Sequence, residues 1–159
     1  MAIEIRIKGD AKLKESLKPE LYKPVVHEMM RDLGKAGRKA AKAKAPKDTG
    51  TLRKKIGFRA SHTGLTLFSP TSYARYVELG RRPGARPPPS NALHGWLRRH
   101  GIPVSAAYVV ARAIGRRGIK GRFFMAAGMA AMKKLLPYDI KKAEKRVAQR
   151  FAKGAKSRG

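Results

Sequence analysis

Apolar positions recur along this chain with two periods, and the change from one to the other predicts its elements. Ile3, Ile5 and Ile7 alternate with Glu4, Arg6 and Lys8, the pattern of a half-buried strand closed by Gly9-Asp10. A short helical turn with Leu13 and Leu17 follows. Leu21, Val25, Met29, Leu33, Ala36 and Ala40 then fall three or four residues apart, which predicts a long helix over about 21–44. Pro24 is tolerated in its first turn. Lys35, Arg38, Lys39, Lys42 and Lys44 crowd the last turns with the sign that suits a helix C-terminus. Pro46 stops it.

Asp48-Thr49-Gly50 turns the chain toward extended structure. Ile56, Phe58 and Ala60 alternate with polar or small residues, and Leu65, Leu67 and Ser69 do so after His62-Thr63-Gly64. That spacing predicts a hairpin with a three- or four-residue loop. Tyr73 to Leu79 fits a short helix or a final strand, and Arg81 to Pro89 holds too much proline and glycine to be regular. Ser90 and Ser105 stand where N-caps would start helices over Asn91–His100 and Ala106–Arg116. After a break at Gly118-Ile119-Lys120-Gly121, an alanine- and methionine-rich helix is predicted over Phe123–Leu136. Pro137 interrupts it, and Asp139–Ala152 forms a basic helix before a polar end.

Charge changes the picture more than composition does. The 159 residues suit one domain with a thin aliphatic core, since aromatics are only 7%. The formal net charge is +28, and self-repulsion at that level calls for an anionic partner. Nucleic acid, an acidic protein face or an anionic membrane could supply it. No apolar run reaches the roughly 20 residues of a spanning helix, so the membrane is the weakest of the three and no membrane is expected. Between Leu33 and Tyr138 the only carboxylates are Asp48 and Glu78. From Leu79 to Tyr138 there are twelve basic residues and no acid.

Those two isolated acids are better explained by architecture than by chemistry. Asp48 can bond the turn backbone while Gly50 supplies a permissive angle, and no partner is placed to make Asp48 a general base. Glu78 lies among Arg75, Arg81 and Arg82, where a salt bridge is expected. His27, His62, His94 and His100 show no paired ligand spacing, and cysteine is absent, so neither a metal nor another cofactor is expected. No phosphate-binding loop ending in Lys-Ser or Lys-Thr appears. Trp96 with Leu93 and Leu97 fits a packing cluster better than a base-stacking platform.

The motif Ala45-Pro46-Lys47-Asp48-Thr49-Gly50-Thr51-Leu52-Arg53 is followed about twenty residues later by Tyr73-Ala74-Arg75-Tyr76-Val77-Glu78-Leu79-Gly80. Further on come Ala111-Arg112-Ala113-Ile114 and Gly118-Ile119-Lys120-Gly121-Arg122-Phe123-Phe124. The order and spacing resemble the tail-completion, or head–tail joining, family of long-tailed bacteriophages over about residues 3–132. Pro87-Pro88-Pro89 through Trp96 to Gly101-Ile102-Pro103 resembles an insertion in that family. The resemblance implies an α+β subunit with a long N-terminal helix on a small antiparallel sheet, additional C-terminal helices and no catalysis. It also implies a ring, commonly sixfold. The corresponding domain would span 1–137, with a proline-rich loop over 81–104, and leave 138–159 as a basic helix and tail.

On this reading Pro46, Asp48, Thr49, Gly50, Leu52, Tyr73, Tyr76, Glu78 and Gly80 are structural. Arg81, Arg82, Arg86, Arg98, Arg99, Arg116, Arg117, Lys120 and Arg122 are candidates to contact DNA or an acidic protein. Phe123, Phe124 and Met125 are candidates for a subunit interface. The expected partners are further copies of the chain, the head connector or adaptor, tail terminator or tube proteins, and DNA in the channel. The expected place is the virion neck, after assembly in the host cytoplasm. The alternative is a non-specific nucleic-acid-binding protein of architectural type; sparse aromatics and the lack of a DNA-reading motif weigh against it.

Overall fold

The computed structural model describes residues 1–6 and 19–156. The expectations at Ile7, Gly9-Asp10, Leu13 and Leu17 lie outside the described residues. In chain order the first elements are β1 (Ala2–Arg6), α1 (Pro19–Lys44), α2 (Thr51–Lys55), β2 (Gly57–Ala60) and β3 (Gly64–Phe68). There follow α3 (Ala74–Leu79), β4 (Gly80–Arg81), α4 (His94–Arg99), α5 (Ala107–Arg117), β5 (Ile119–Lys120) and α6 (Phe124–Lys156). Single 3-10 turns at Ser90–Leu93 and Val104–Ala106 precede α4 and α5. The architecture is α+β. Two compact units divide the chain: Met1–Ala74 with Phe123–Gly159, and Arg75–Arg122.

In the first unit β3 is the central strand of an antiparallel sheet ordered β1-β3-β2. The register sets Ile3 opposite Leu67 and Phe58 opposite Leu67 from the other side. Strand alternation therefore sends Ile3, Leu65, Leu67 and Phe58 to one face. Leu65 and Leu67 are fully buried there, while Glu4 and Arg59 stand exposed on the other face.

The long helix α1 covers the sheet. It buries Val25, Met29, Met30, Leu33 and Ala41, each large side chain being worth about 1.5–3 kcal/mol. Its start lies at Pro19, a favoured first position, which leaves Pro24 in the second turn rather than the first. Small residues let the helices close on one another. A Cβ on Gly128 of α6 would lie 2.8 Å from the Gly37 carbonyl of α1 and 2.7 Å from Leu67 Cδ2. A Cβ on Gly37 would meet Met132 at 2.7 Å. Helix, helix and sheet thus meet at backbone distance around these two glycines.

Several expectations need correction. Pro137 does not interrupt the last helix, because α6 runs through it from Phe124 to Lys156. Continuing costs a backbone hydrogen bond and a ring clash, together about 3 kcal/mol. Burial where α6 packs on α1 offsets it: Val25, Met29 and Ala143 are buried there, and Arg146 Nη1 pairs with Glu28 Oε2 at 2.8 Å. The strand expected directly after Gly50 is preceded by the single helical turn α2. Ser90 and Ser105 make no capping bond; each lies inside a 3-10 turn whose preceding residue is proline.

The second unit is small. Leu97 of α4 and Ala107, Ala111 and Gly115 of α5 are buried in it. A Cβ on Gly115 would meet Pro87 Cγ at 2.7 Å, so the proline-rich loop packs on α5.

Candidate functional site

The Ala45–Arg53 motif works as a helix stop followed by a turn. Ala45 continues the α1 ladder by donating to the Ala41 carbonyl, and Arg53 Nε then donates to the Ala45 carbonyl at 2.7 Å. This places a guanidinium on an orphan carbonyl at a helix C-terminus, where positive charge is also favoured. Sequence reasoning included Arg53 in the motif but assigned it no role; its spacing of eight from the helix stop was the available signal. Thr49 Oγ1 lies 2.9 Å from Thr51 Oγ1 and accepts the Thr51 N–H at 3.3 Å. Gly50 has φ 79°, a left-handed angle that a side chain would strain. Leu52 is buried, whereas Asp48 is exposed at the turn.

The Tyr73–Gly80 motif forms α3 and then turns sharply. Gly80 has φ 76°, and a Cβ there would collide with the Ile119 carbonyl. Only glycine fits both constraints. Gly80 pairs with Lys120 and Arg81 with Ile119 in the two-stranded β4–β5 ladder. The Arg122 N–H donates to the Val77 carbonyl at 2.8 Å. Two motifs about forty residues apart are thus one structural knot. Glu78 is buried within it, while Tyr76 and Tyr73 are exposed.

The same knot gathers charge. The Gly84 N–H donates to the Gly115 carbonyl at 2.8 Å, and a Cβ on Gly118 would meet the Pro83 nitrogen at 2.8 Å. These contacts bring Arg81, Arg82 and Arg86 to the end of α5, beside Arg116, Arg117, Lys120 and Arg122. Arg81 is partly committed: its Nη2 donates to the Arg86 carbonyl at 2.6 Å and its guanidinium lies 5.8 Å from the Tyr76 ring centre. The others are exposed. Arg98 and Arg99 belong to a different helix end, that of α4. There Trp96 stacks on His100 with ring centres 4.3 Å apart, and Leu97 carries the packing.

Of the three residues expected at a subunit interface, only Phe123 is on the surface. Phe124 and Met125 are fully buried, because α6 turns them into the core of the chain itself. Phe123 is 53% exposed and has φ 49°, the only positive φ among the described non-glycine residues. That conformation costs about 1–2 kcal/mol.

Among the described residues, titration is perturbed where α1 meets the second half of α6. Val25, Met29, Asp32, Asp139, Lys142, Ala143 and Arg146 line a small cavity of about 10 Å³. The Lys35 hydrogen bond at 2.9 Å, followed by the charges of Lys35, Lys142 and Arg146, holds the Asp32 carboxyl below its ordinary range. Desolvation, aided by the Asp32 charge, pushes Asp139 up against the opposing pull of Lys142. Among the described residues no group of three or more His, Cys, Asp or Glu is placed to hold a metal ion. No helix among them is long and apolar enough to cross a membrane.

The fold and its motifs define a small α+β protein that carries a strongly basic second unit. Residues 10–80 match the family model HK97-gp10_like, described as "Bacteriophage HK97-gp10, putative tail-component". The match spans α1, the Arg53 helix stop, the hairpin and α3, and ends at the Gly80 turn. It supports a structural tail protein of a bacteriophage and, with that, a place in the virion beside other virion proteins. No curated protein and no solved structure matches the chain.

Proposed function

We propose that this chain is a structural virion protein of a tailed bacteriophage, forming a ring at the head–tail interface. It completes the tail and joins it to the head around the DNA conduit. The observation that carries this reading is the tail-component match over residues 10–80, which holds α1 and two of the three strands of the sheet it covers. Its neighbours are further copies of itself, a head connector or adaptor, and tail terminator or tube proteins. Its role is geometric rather than catalytic.

Phe123 supports a contact between subunits. An exposed aromatic on a strained backbone is costly in an isolated chain, and burial against a neighbour would offset the cost. The isolated acids Asp48 and Glu78 fit the same reading as turn and anchor residues. Light scattering at moderate salt, with purified tails then added, tests the proposal. A closed oligomer that binds tails is expected. A strict monomer that joins neither tails nor heads refutes it.

A further inference from the structure

The Arg75–Arg122 unit holds eleven basic residues and one acid, Glu78, which is buried. Its exposed surface therefore carries a single sign of charge. Ten of the eleven are arginine, whereas the rest of the chain has nineteen lysines against eight arginines. Solubility does not require that choice, since lysine serves it equally well. Arginine differs in having a planar fork that bonds phosphate in a bidentate way and gives up hydration more readily.

The fold also concentrates these charges against their mutual repulsion. Backbone contacts do the work: the β4–β5 ladder, the Gly84 to Gly115 bond and the glycine-only approach at Gly118. We infer that this unit binds the phosphate backbone of duplex DNA without sequence preference, through Arg82, Arg86, Arg116, Arg117, Lys120 and Arg122. Phosphates form a continuous array of one sign, which a continuous array of the other sign matches in any register. An acidic protein face would also attract this charge, but it is a bounded patch, whereas a duplex presents about one negative charge per 1.7 Å along its whole length. The inference shares with the proposed function only the choice of DNA as polyanion; the charge cluster stands whether or not a ring forms.

The test is fluorescence anisotropy of the full chain with a labelled duplex, over a range of sodium chloride, with light scattering on the same samples. Six phosphate contacts predict a slope of log affinity on log salt of about −5. Two unrelated duplex sequences should bind within about twofold. Arg82→Gln with Arg117→Gln should make the slope shallower by about 2, which at 0.15 M salt is about a 30-fold loss. The charge-matched control Lys54→Gln with Lys55→Gln, on exposed positions of α2, should change it much less. Melting curves of both variants confirm that each is folded. Equal effects of the two pairs would overturn the inference, since binding would then follow net charge alone. Poly-glutamate competing as well as DNA would also overturn it. A ring that ignores DNA sinks this inference and spares the ring. A DNA-binding monomer does the reverse.

Discussion

Replacing Gly128 by alanine isolates the contact on which the first unit depends. The new methyl would sit 2.8 Å from the Gly37 carbonyl oxygen, 2.7 Å from Leu67 Cδ2 and 3.2 Å from Ala41 Cβ. Ordinary contact begins near 3.4 Å, so α1 and α6 must part by about 0.6 Å, the difference between 2.8 and 3.4 Å. The first obstacle is backbone, and the second belongs to a fully buried leucine in the central strand, so neither can swing aside. Overpacking of this kind costs about 1–3 kcal/mol. Alanine returns about 1 kcal/mol through helix propensity. The net loss should be up to about 2 kcal/mol, a fall in Tm of up to about 8 °C for a chain of this size. Gly95→Ala is the matched control. Gly95 is exposed on α4, and a Cβ there meets only Arg99 Nη1, a side-chain terminus, at 3.2 Å. Propensity alone should then raise stability by about 0.5–1 kcal/mol. Thermal melts followed by circular dichroism distinguish the two. A Gly128→Ala protein stabilised as much as the Gly95→Ala control would refute the reasoning about the helix crossing.

Arg53→Ala removes the bond to the Ala45 carbonyl and should cost about 1 kcal/mol, read in denaturant melts; no change would mean that water replaces the cap. Glu78→Gln discharges the only acid of the second unit while keeping its shape. A loss of about 1.5–3 kcal/mol or disturbed assembly is expected, and unchanged melting and oligomer size would count against an anchoring role. Truncation after Tyr138 uncovers Val25 and Met29 and removes the Arg146–Glu28 pair, so it should destabilise the first unit by about 3–5 kcal/mol. A truncated chain with the parental melt would show the end of α6 to be a mere extension. Asp139 has a raised folded pKa, so its contribution is full at low pH and is lost as pH rises through that value. Asp139→Asn should therefore melt like the parent near pH 3 and above it at pH 7. Asp32 has the opposite shift, so its contribution is present at neutral pH and lost as pH falls through its lowered pKa. A lower melt for Asp139→Asn at pH 7 would reverse the assigned sign.

Hydrophobic period alone made the long helix and the hairpin legible. Leu21 to Ala40 could bury one stripe only as a helix, and Leu65 with Leu67 could share a face only as a strand. The turn motif was equally legible, because proline and glycine act on the backbone wherever they stand. The charge was countable, and so was the isolation of Asp48 and Glu78.

Other features depend on partners distant along the chain. Pro137 carries a local signal to stop, yet α6 continues because Ala143 and Arg146 gain α1 as a neighbour, and tertiary packing outweighs the lost hydrogen bond and the ring clash. Phe124 and Met125 look from composition like an interface, but helix phase turns them inward and leaves Phe123 outside. Most of all, the sequence determined that the middle of this chain is basic. Only the tertiary structure decided which cations stand together, because the β4–β5 ladder and two glycine contacts join Arg81–Arg86 to Arg116–Arg122 across about thirty residues. Charge is a property of residues; a charged surface is a property of their pairing.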